Sequence, residues 1–275
     1  MLSYRHGYHA GNHADVLKHL TQVLILDHML EKDTAISYLD SHAGAGLYDL
    51  GSTFAIKNRE FDGGIGRLAS LDPVPAEIQR YLAVVAQCRQ GQPNLYPGSP
   101  AIALAMLRPQ DRAHLFELHP KDADALQRRF YRRAKINQSD GFAGIKGLLP
   151  PPSRRALVLM DPPFEIKSDY QKACQSLRDS RKRFAGGVYA LWYPLLDRPE
   201  SIGMAAALAD IAPDNWLHCS LSVAPLGSGG MVGSAMYVIN PPWKLAEQLK
   251  SALPVLADAL AVDGQGRWSL DYHGR

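Results

Sequence analysis

Ala156-Leu157-Val158-Leu159-Met160-Asp161-Pro162-Pro163-Phe164 is the stretch on which the reading of this chain turns. A short apolar run closed by an acidic residue and two prolines reads as a buried strand that stops at a sheet edge, because neither proline can donate a ladder hydrogen bond. The chain end there is rigid. The Asp161 carboxylate and the Pro162 carbonyl oxygen, both acceptors and held side by side, form a site for the two hydrogens of an exocyclic amine. Phe164 then offers a ring on which a planar base can stack. A Pro-Pro after a strand is also an ordinary turn, and Asp at a strand end is often a helix cap. The chain carries its own control, Asn240-Pro241-Pro242-Trp243, which follows the apolar run Ala235-Met236-Tyr237-Val238-Ile239. Only one of the two is expected to do chemistry; the order of the acidic strand ends assigns that role to Asp161, and Asn240 to Trp243 is expected to close a peripheral strand and to be structural.

Toward the N-terminus, Asn12 caps an expected helix that runs to about Lys32, with Val16, Leu17, Leu20, Val23, Leu24 and Ile25 at helical spacing. Ala35-Ile36-Ser37-Tyr38-Leu39 reads as a buried strand that ends at Asp40 and enters the glycine turn Ser41-His42-Ala43-Gly44-Ala45-Gly46. The next strand, Ala113-His114-Leu115-Phe116-Glu117, lies roughly 65 residues on, far beyond a single crossover helix. Residues of about 47–95 are therefore expected to form a small, partly helical excursion, with a helix over Pro73 to Arg89 and a loop over Gln92 to Pro100. Ala101 to Leu107 resumes as a helix of the sheet.

Beyond Glu117 the alternation is regular: a helix over Asp122 to Arg133, a short strand near Ala134 to Asn137, Asp140-Gly141 opening another helix, then the strand ending at Asp161. Gly187 to Tyr193 is a strand closed by Pro194, Pro199 to Ile211 a helix, and Trp216 to Val223 and Ser234 to Ile239 two last strands. The pattern predicts an α/β fold with an open, mostly parallel sheet, helices on both faces, and an antiparallel final strand pair. No repeat or low-complexity linker divides the chain, so residues 1–275 are expected to form a single domain with one insertion.

Hydrophobic residues make up 46% of the chain, so it should fold, and a net charge of +3 with pI near 8.7 permits a polyanionic partner without demanding one. Arg128, Arg129, Arg132, Arg133 and Lys135, with Arg154-Arg155 and Arg181-Lys182-Arg183, could together track phosphates, although each alone reads as a solvated helix face. Cys88, Cys174 and Cys219 have no paired spacing, which argues for a reducing compartment. The opening lacks the apolar core of a signal peptide, and no run approaches the roughly 20 apolar residues that span a bilayer. A cytoplasmic protein without membrane attachment is expected.

Ligands of doubly wound sheets sit at the carboxyl ends of the strands. Those ends carry Asp40 with the glycine turn, then Glu117, then Asp140-Gly141, then Asp161. This order resembles that of Rossmann-like class I S-adenosylmethionine methyltransferases, and an Asp-Pro-Pro followed by an aromatic resembles the amine-binding signature of adenine-N6, cytosine-N4 and glutamine methyltransferases. The likeness narrows further. Leu2-Ser3-Tyr4-Arg5-His6, His9 to His19, His42-Ala43-Gly44-Ala45-Gly46, Tyr96-Pro97-Gly98-Ser99-Pro100, Glu117-Leu118-His119-Pro120, Asp161-Pro162-Pro163 and Ala190 to Pro194 resemble the bacterial RlmJ family over essentially the whole chain. That resemblance implies N6-methylation of one adenosine in 23S ribosomal RNA, S-adenosylmethionine as cofactor, and a Rossmann-like domain with a small helical insertion. It implies His19, His42, Ser99, Glu117, Asp140 and Gly141 as cofactor contacts, Asp161 as the catalytic acceptor, and Tyr4 as a contact to RNA, with Pro162 and Phe164 at the target base. Lys18 is a weaker candidate, and Phe164 stands where a relative has Tyr, which bears only on a hydroxyl contact.

Residue physics alone leaves adenine, cytosine and glutamine open as acceptors, and DNA as well as RNA; methylation of DNA at adenine N6 or cytosine N4 is the alternative. Three other readings fare worse. His6, His9, His13 and His19 match no zinc-hydrolase spacing, so no metal is expected. A nicotinamide dehydrogenase would need a third glycine where Asp49 stands. An RNA-binding scaffold would leave the ordered acidic strand ends without a purpose. A monomer is expected.

Overall fold

The computed structural model describes residues 6–274. Asn12 opens the first long helix: its side-chain oxygen accepts from the backbone N–H groups of Ala14 and Asp15, and α1 runs over His13–Leu30. Every residue from Ala14 to Leu26 is buried, so α1 is a central helix rather than an amphipathic surface one. Its polar members Asp15, Lys18, His19 and Gln22 must therefore find partners inside the protein.

The elements that follow are β1 (Ser37–Asp40), β2 (Leu47–Asp49), α2 (Thr53–Asn58), α3 (Ile65–Leu68), α4 (Ala76–Arg89), β3 (Leu95–Pro97), α5 (Ser99–Met106), β4 (Arg112–Phe116), α6 (Pro120–Phe130), β5 (Lys135–Asn137) and α7 (Gly141–Leu148). After them come β6 (Ala156–Met160), α8 (Lys167–Arg183), β7 (Val188–Leu196), α9 (Pro199–Ile202), α10 (Met204–Ala209), β8 (Trp216–Ser222), β9 (Met231–Ile239), α11 (Leu245–Leu260) and β10 (Arg267–His273). Among the described residues, eight strands form one sheet in the order β10-β8-β9-β7-β6-β1-β4-β5. The pairs β5-β4, β4-β1, β1-β6 and β6-β7 are parallel, whereas β9 runs antiparallel to both β7 and β8, and β10 antiparallel to β8. Helices α1, α4, α5 and α11 pack together in one layer, and α7, α8, α9 and α10 in another. The fully apolar β6, with all five residues buried, sits at the middle of the sheet between them, as a strand covered on both faces must.

Several expectations need correction. Pro194 does not close β7, which continues to Leu196. The parallel partner β6 pairs only as far as Leu191, and the Pro194 carbonyl faces the hydroxyl of Ser201 instead of β9. The missing N–H of Pro194 therefore falls on the side where no ladder bond is asked of it. The helix expected over Pro199 to Ile211 is two short helices parted at Gly203. Leu95-Tyr96-Pro97 is not loop but a strand paired with β2, so Leu47 faces Pro97 and closes the stem of the excursion. Within that excursion, α4 packs on α1, α5 and α11, and Glu60 accepts from Asn12 while bonded to His9.

The C-terminal α11 and β10 were not anticipated. Leu245, Leu249, Ala252, Leu253, Leu256 and Leu260 form a buried stripe, but Pro254 in the middle masks the pattern and is accommodated on the exposed side. The second Pro-Pro segment also follows an interior strand, not a peripheral one. Because β9 is reversed, Ile239 pairs with Tyr189 at the beginning of β7, and Asn240 to Trp243 emerge at the sheet edge opposite Asp161.

Candidate active site

Strands β1, β4, β5 and β6 end at one edge, and the groups expected there converge on it. After Asp40 the chain turns through Gly44 and Gly46, both at positive φ. A Cβ on Gly44 would lie 2.1 Å from the Tyr48 hydroxyl, so the turn is packed as well as strained toward glycine. Glu117, just past β4, accepts from Gly44 N–H at 2.8 Å and from His119 N–H at 2.7 Å. Burial pushes its carboxyl up, and the two backbone donors work against that shift. Asp140 caps α7 by accepting from Ala143 N–H. The next residue, Gly141, is pressed so closely on the β1 turn that a Cβ would fall 1.9 Å from Ser41 O.

These groups line a cavity of about 450 Å³. His19, His42, Ser99, Glu117, Asp140 and Gly141 all stand on its wall, together with Asp161 and Pro162. His19 comes from the buried α1; its Nδ1 is bonded to the Tyr96 hydroxyl at 2.8 Å, while its Nε2 has no hydrogen-bond partner. Burial lowers its pKa to about 3, so the ring is neutral. His42, bonded to Ser41 Oγ and edge-on to Phe142, is lowered to about 4 by burial. The Ser99 hydroxyl donates to Asp40, which also accepts from Tyr38 and is raised to about 6 by its own burial. Asp40 therefore supports the turn from behind rather than facing the cavity.

A second cavity of about 170 Å³ adjoins the first, and His6, Lys18, Asp161 and Pro163 belong to both walls. Phe164 departs from the expectation of a ring offered openly. At φ 50° its backbone is left-handed, and its ring is 2% exposed, 4.6 Å from Tyr170 and 6.1 Å from Trp192. It forms the buried wall of the smaller cavity. Tyr4 lies outside the described residues.

What the sequence reading missed is a chain of charge along α1. Lys18 Nζ is 2.5 Å from Asp161 Oδ2 and 2.8 Å from Asp15 Oδ1, and Asp15 Oδ2 accepts from His6 Nε2 at 2.9 Å. Burial opposes the charge on Lys18, yet the two carboxylates hold it protonated above the ordinary lysine range. The three-residue spacing of Asp15 and Lys18 on one helix face was a legible signal; their burial was not.

Four members of the basic clusters are occupied elsewhere. Arg155 donates to the carbonyls of Met29 and Thr34, Arg133 to Leu104, Arg129 to Leu47 and Arg181 to Ile211. These guanidiniums tie down backbone carbonyls, three of them at or just beyond helix ends. Among the described residues, no group of three or more His, Cys, Asp or Glu could hold a metal ion, and no helix is long and apolar enough to cross a membrane.

The chain is 46% identical to ribosomal RNA large subunit methyltransferase J of Escherichia coli (strain K12) and 42% identical to the protein of the same name from Haemophilus influenzae, over 99% of this chain and of each relative. The crystal structure of protein LPL1258 from Legionella pneumophila superposes with a TM-score of 0.88 at 30% identity, covering 96% of this chain and 98% of that one. Residues 33–273 match the family model described as "Ribosomal RNA large subunit methyltransferase D, RlmJ". With residues 33–273 matched by this family model and relatives 42–46% identical over 99% of their length, the chain belongs to the RlmJ family of ribosomal RNA large subunit methyltransferases.

Proposed function

We propose that this protein transfers the methyl group of S-adenosylmethionine to N6 of an adenosine in 23S ribosomal RNA. The larger cavity takes the cofactor and the smaller one receives the target base. The observation that carries the proposal is the position of Asp161, on the wall common to both cavities. The names of the relatives favour ribosomal RNA over the DNA alternative.

The residues fit the cofactor. Glu117 has an oxygen lone pair left beside the glycine turn for ribose hydroxyls, Asp140 stands where the crossover from β5 to β6 begins, and the orphaned His19 Nε2 lies in a cavity wall that needs a polar occupant. When bound, S-adenosylmethionine would supply an electrophilic methyl on sulfur, with S-adenosylhomocysteine as the leaving group. The protein's task is to prepare the nucleophile. An aniline-like amine is a poor one because its lone pair is delocalised into the ring. Asp161 Oδ1 and the Pro162 carbonyl each accept one amine hydrogen, which localises the lone pair and aims it at the methyl carbon. The methylated nitrogen then sheds one proton to solvent water. Lys18, holding the other carboxylate oxygen, keeps Asp161 in place.

The target base must be unpaired or swung out of its helix, at about a few kcal/mol. Pro163, Phe164 and Trp192 wall the cavity it would enter, and Tyr4 is assigned to the RNA by family resemblance. The excursion of about residues 47–95 belongs to the same domain, and the working unit is a monomer. Incubating ribosomal RNA from a deletion strain with the protein and labelled S-adenosylmethionine, followed by nucleoside mass analysis, tests the proposal. N6-methyladenosine is expected; label in another nucleoside, or only in DNA, refutes it.

A further inference from the structure

We infer that Asp15 is a positioning residue for methyl transfer: its buried carboxylate anchors the Lys18 ammonium so that Lys18 engages one oxygen of Asp161 and leaves the other for the amine. The inference rests on the reading of Asp161 as the amine acceptor.

Asp15 lies in the first turn of α1, is 1% exposed and lines the smaller cavity. Its Oδ2 accepts from Gly11 N–H at 2.8 Å and from His6 Nε2 at 2.9 Å, and its Oδ1 faces Lys18 Nζ at 2.8 Å and His19 Nε2 at 3.8 Å. An acid in the first turn of a helix has an ordinary reason to be there, since it meets the dipole and a free N–H. That reason does not require the Oδ1 side, which is turned toward Lys18. A buried ammonium with a single carboxylate neighbour settles where it can reach both of that neighbour's oxygens, because nothing else offsets its desolvation. Bonded so, neither Asp161 oxygen would be clear of the ammonium, and a substrate hydrogen would have to share its acceptor with a buried positive charge. Asp15 draws the ammonium to a point between two carboxylates, and from there it reaches Asp161 Oδ2. The same carboxylate ties the segment carrying His6 to this point, so both cavities share a wall built on Asp15.

Single-turnover methylation of 23S ribosomal RNA with labelled S-adenosylmethionine, alongside calorimetric cofactor affinity, tests this with Asp15→Asn, Lys18→Met and the double variant. Asn keeps an acceptor for Gly11 N–H and removes the charge. Asp15→Asn should slow the chemical step by about tenfold or more while cofactor Kd stays within about threefold. The double variant should match Lys18→Met within about threefold, because the two residues act as one unit. A chemical step slowed less than about tenfold, or a double variant slower than Lys18→Met by the full Asp15→Asn factor, overturns the inference. If Asp15→Asn does not fold, the comparison of Lys18→Met with the double variant decides alone, since that pair loses both charges together. Asp161→Asn in the same assay separates the two readings. A fast Asp161→Asn enzyme removes the amine-acceptor reading, whereas an inactive Asp161→Asn beside a fast Asp15→Asn removes only the role of Asp15.

Discussion

Lys18 Nζ and Asp161 Oδ2 meet at 2.5 Å across 143 residues of sequence, joining the central helix of one layer to the end of the middle strand. The contact holds the strand-end carboxylate by one oxygen, at the boundary of two cavities. Truncating the lysine should therefore damage catalysis more than binding. Lys18→Met is expected to lower kcat by about 10- to 100-fold with little change in cofactor affinity, since the proposed role of its ammonium is to hold the Asp161 carboxylate. Steady-state kinetics with calorimetry checks this; a purely elevated KM would count against it.

Gly141 touches the Ser41 carbonyl so closely that no side chain fits. Gly141→Ala forces the start of α7 away from the β1 turn. A destabilisation of about 1–3 kcal/mol is expected from overpacking, together with weaker cofactor binding because both segments line the larger cavity. Denaturant unfolding and calorimetry measure the two effects; unchanged cofactor affinity would show that the separation of these segments is unimportant.

Phe164 is wall material. Phe164→Ala should cost about 3–5 kcal/mol, as for other buried aromatic truncations, with cofactor affinity largely kept. If stability is untouched and only RNA binding suffers, the ring is a free platform after all.

Burial holds His13 and His42 near pKa 4 and His19 near 3, below the ordinary 6.5. The unfolded chain takes up these protons first, so the stabilisation is complete above about pH 6.5 and is lost as pH falls toward about 4 and below. Asp40 runs the other way: raised from 3.8 to about 6, it favours the native state at low pH, a contribution lost as pH rises through about 6. Burial lowers His114 and His218 as well and raises Glu117 alongside Asp40, so five histidines stand against two carboxyls and predict a melting temperature that falls between about pH 6 and 4. A flat profile across that range, by scanning calorimetry, would contradict the burial of these rings.

Trp243, at 72% exposure, closes the second Pro-Pro segment on the far sheet edge. Trp243→Ala should leave methyl transfer unchanged and stability within about 0.5 kcal/mol. A marked loss of turnover would mean that this edge also meets the RNA.

Local chemistry was enough to read the alternation of strands and helices, the glycine turn after Asp40, the acidic strand ends and the helix capped by Asn12, because apolar periodicity and caps act within a few residues. Of the six expected cofactor contacts, His42, Glu117, Asp140 and Gly141 follow parallel strands that deliver their ends to a common edge, whereas His19 from α1 and Ser99 from α5 reach the same cavity wall by packing. The helix around Pro254 and the edge strand β10 were hidden, the first by a proline on its solvent side and the second by its half-polar pattern.

The order of the acidic strand ends favoured Asp161 over Asn240, but the physical separation of the two alike Pro-Pro ends is tertiary. Asp161 and Asn240 follow equally apolar strands, but hydrogen bonding to β7 runs parallel for one and antiparallel for the other, which sends them to opposite edges. Strand direction is set by distant partners and not by the residues of the strand itself. The same holds for the ion chain of Asp15, Lys18 and Asp161. Its members are visible as residue types, but only the packing of α1 against the sheet removes the water that would otherwise make their charges unremarkable.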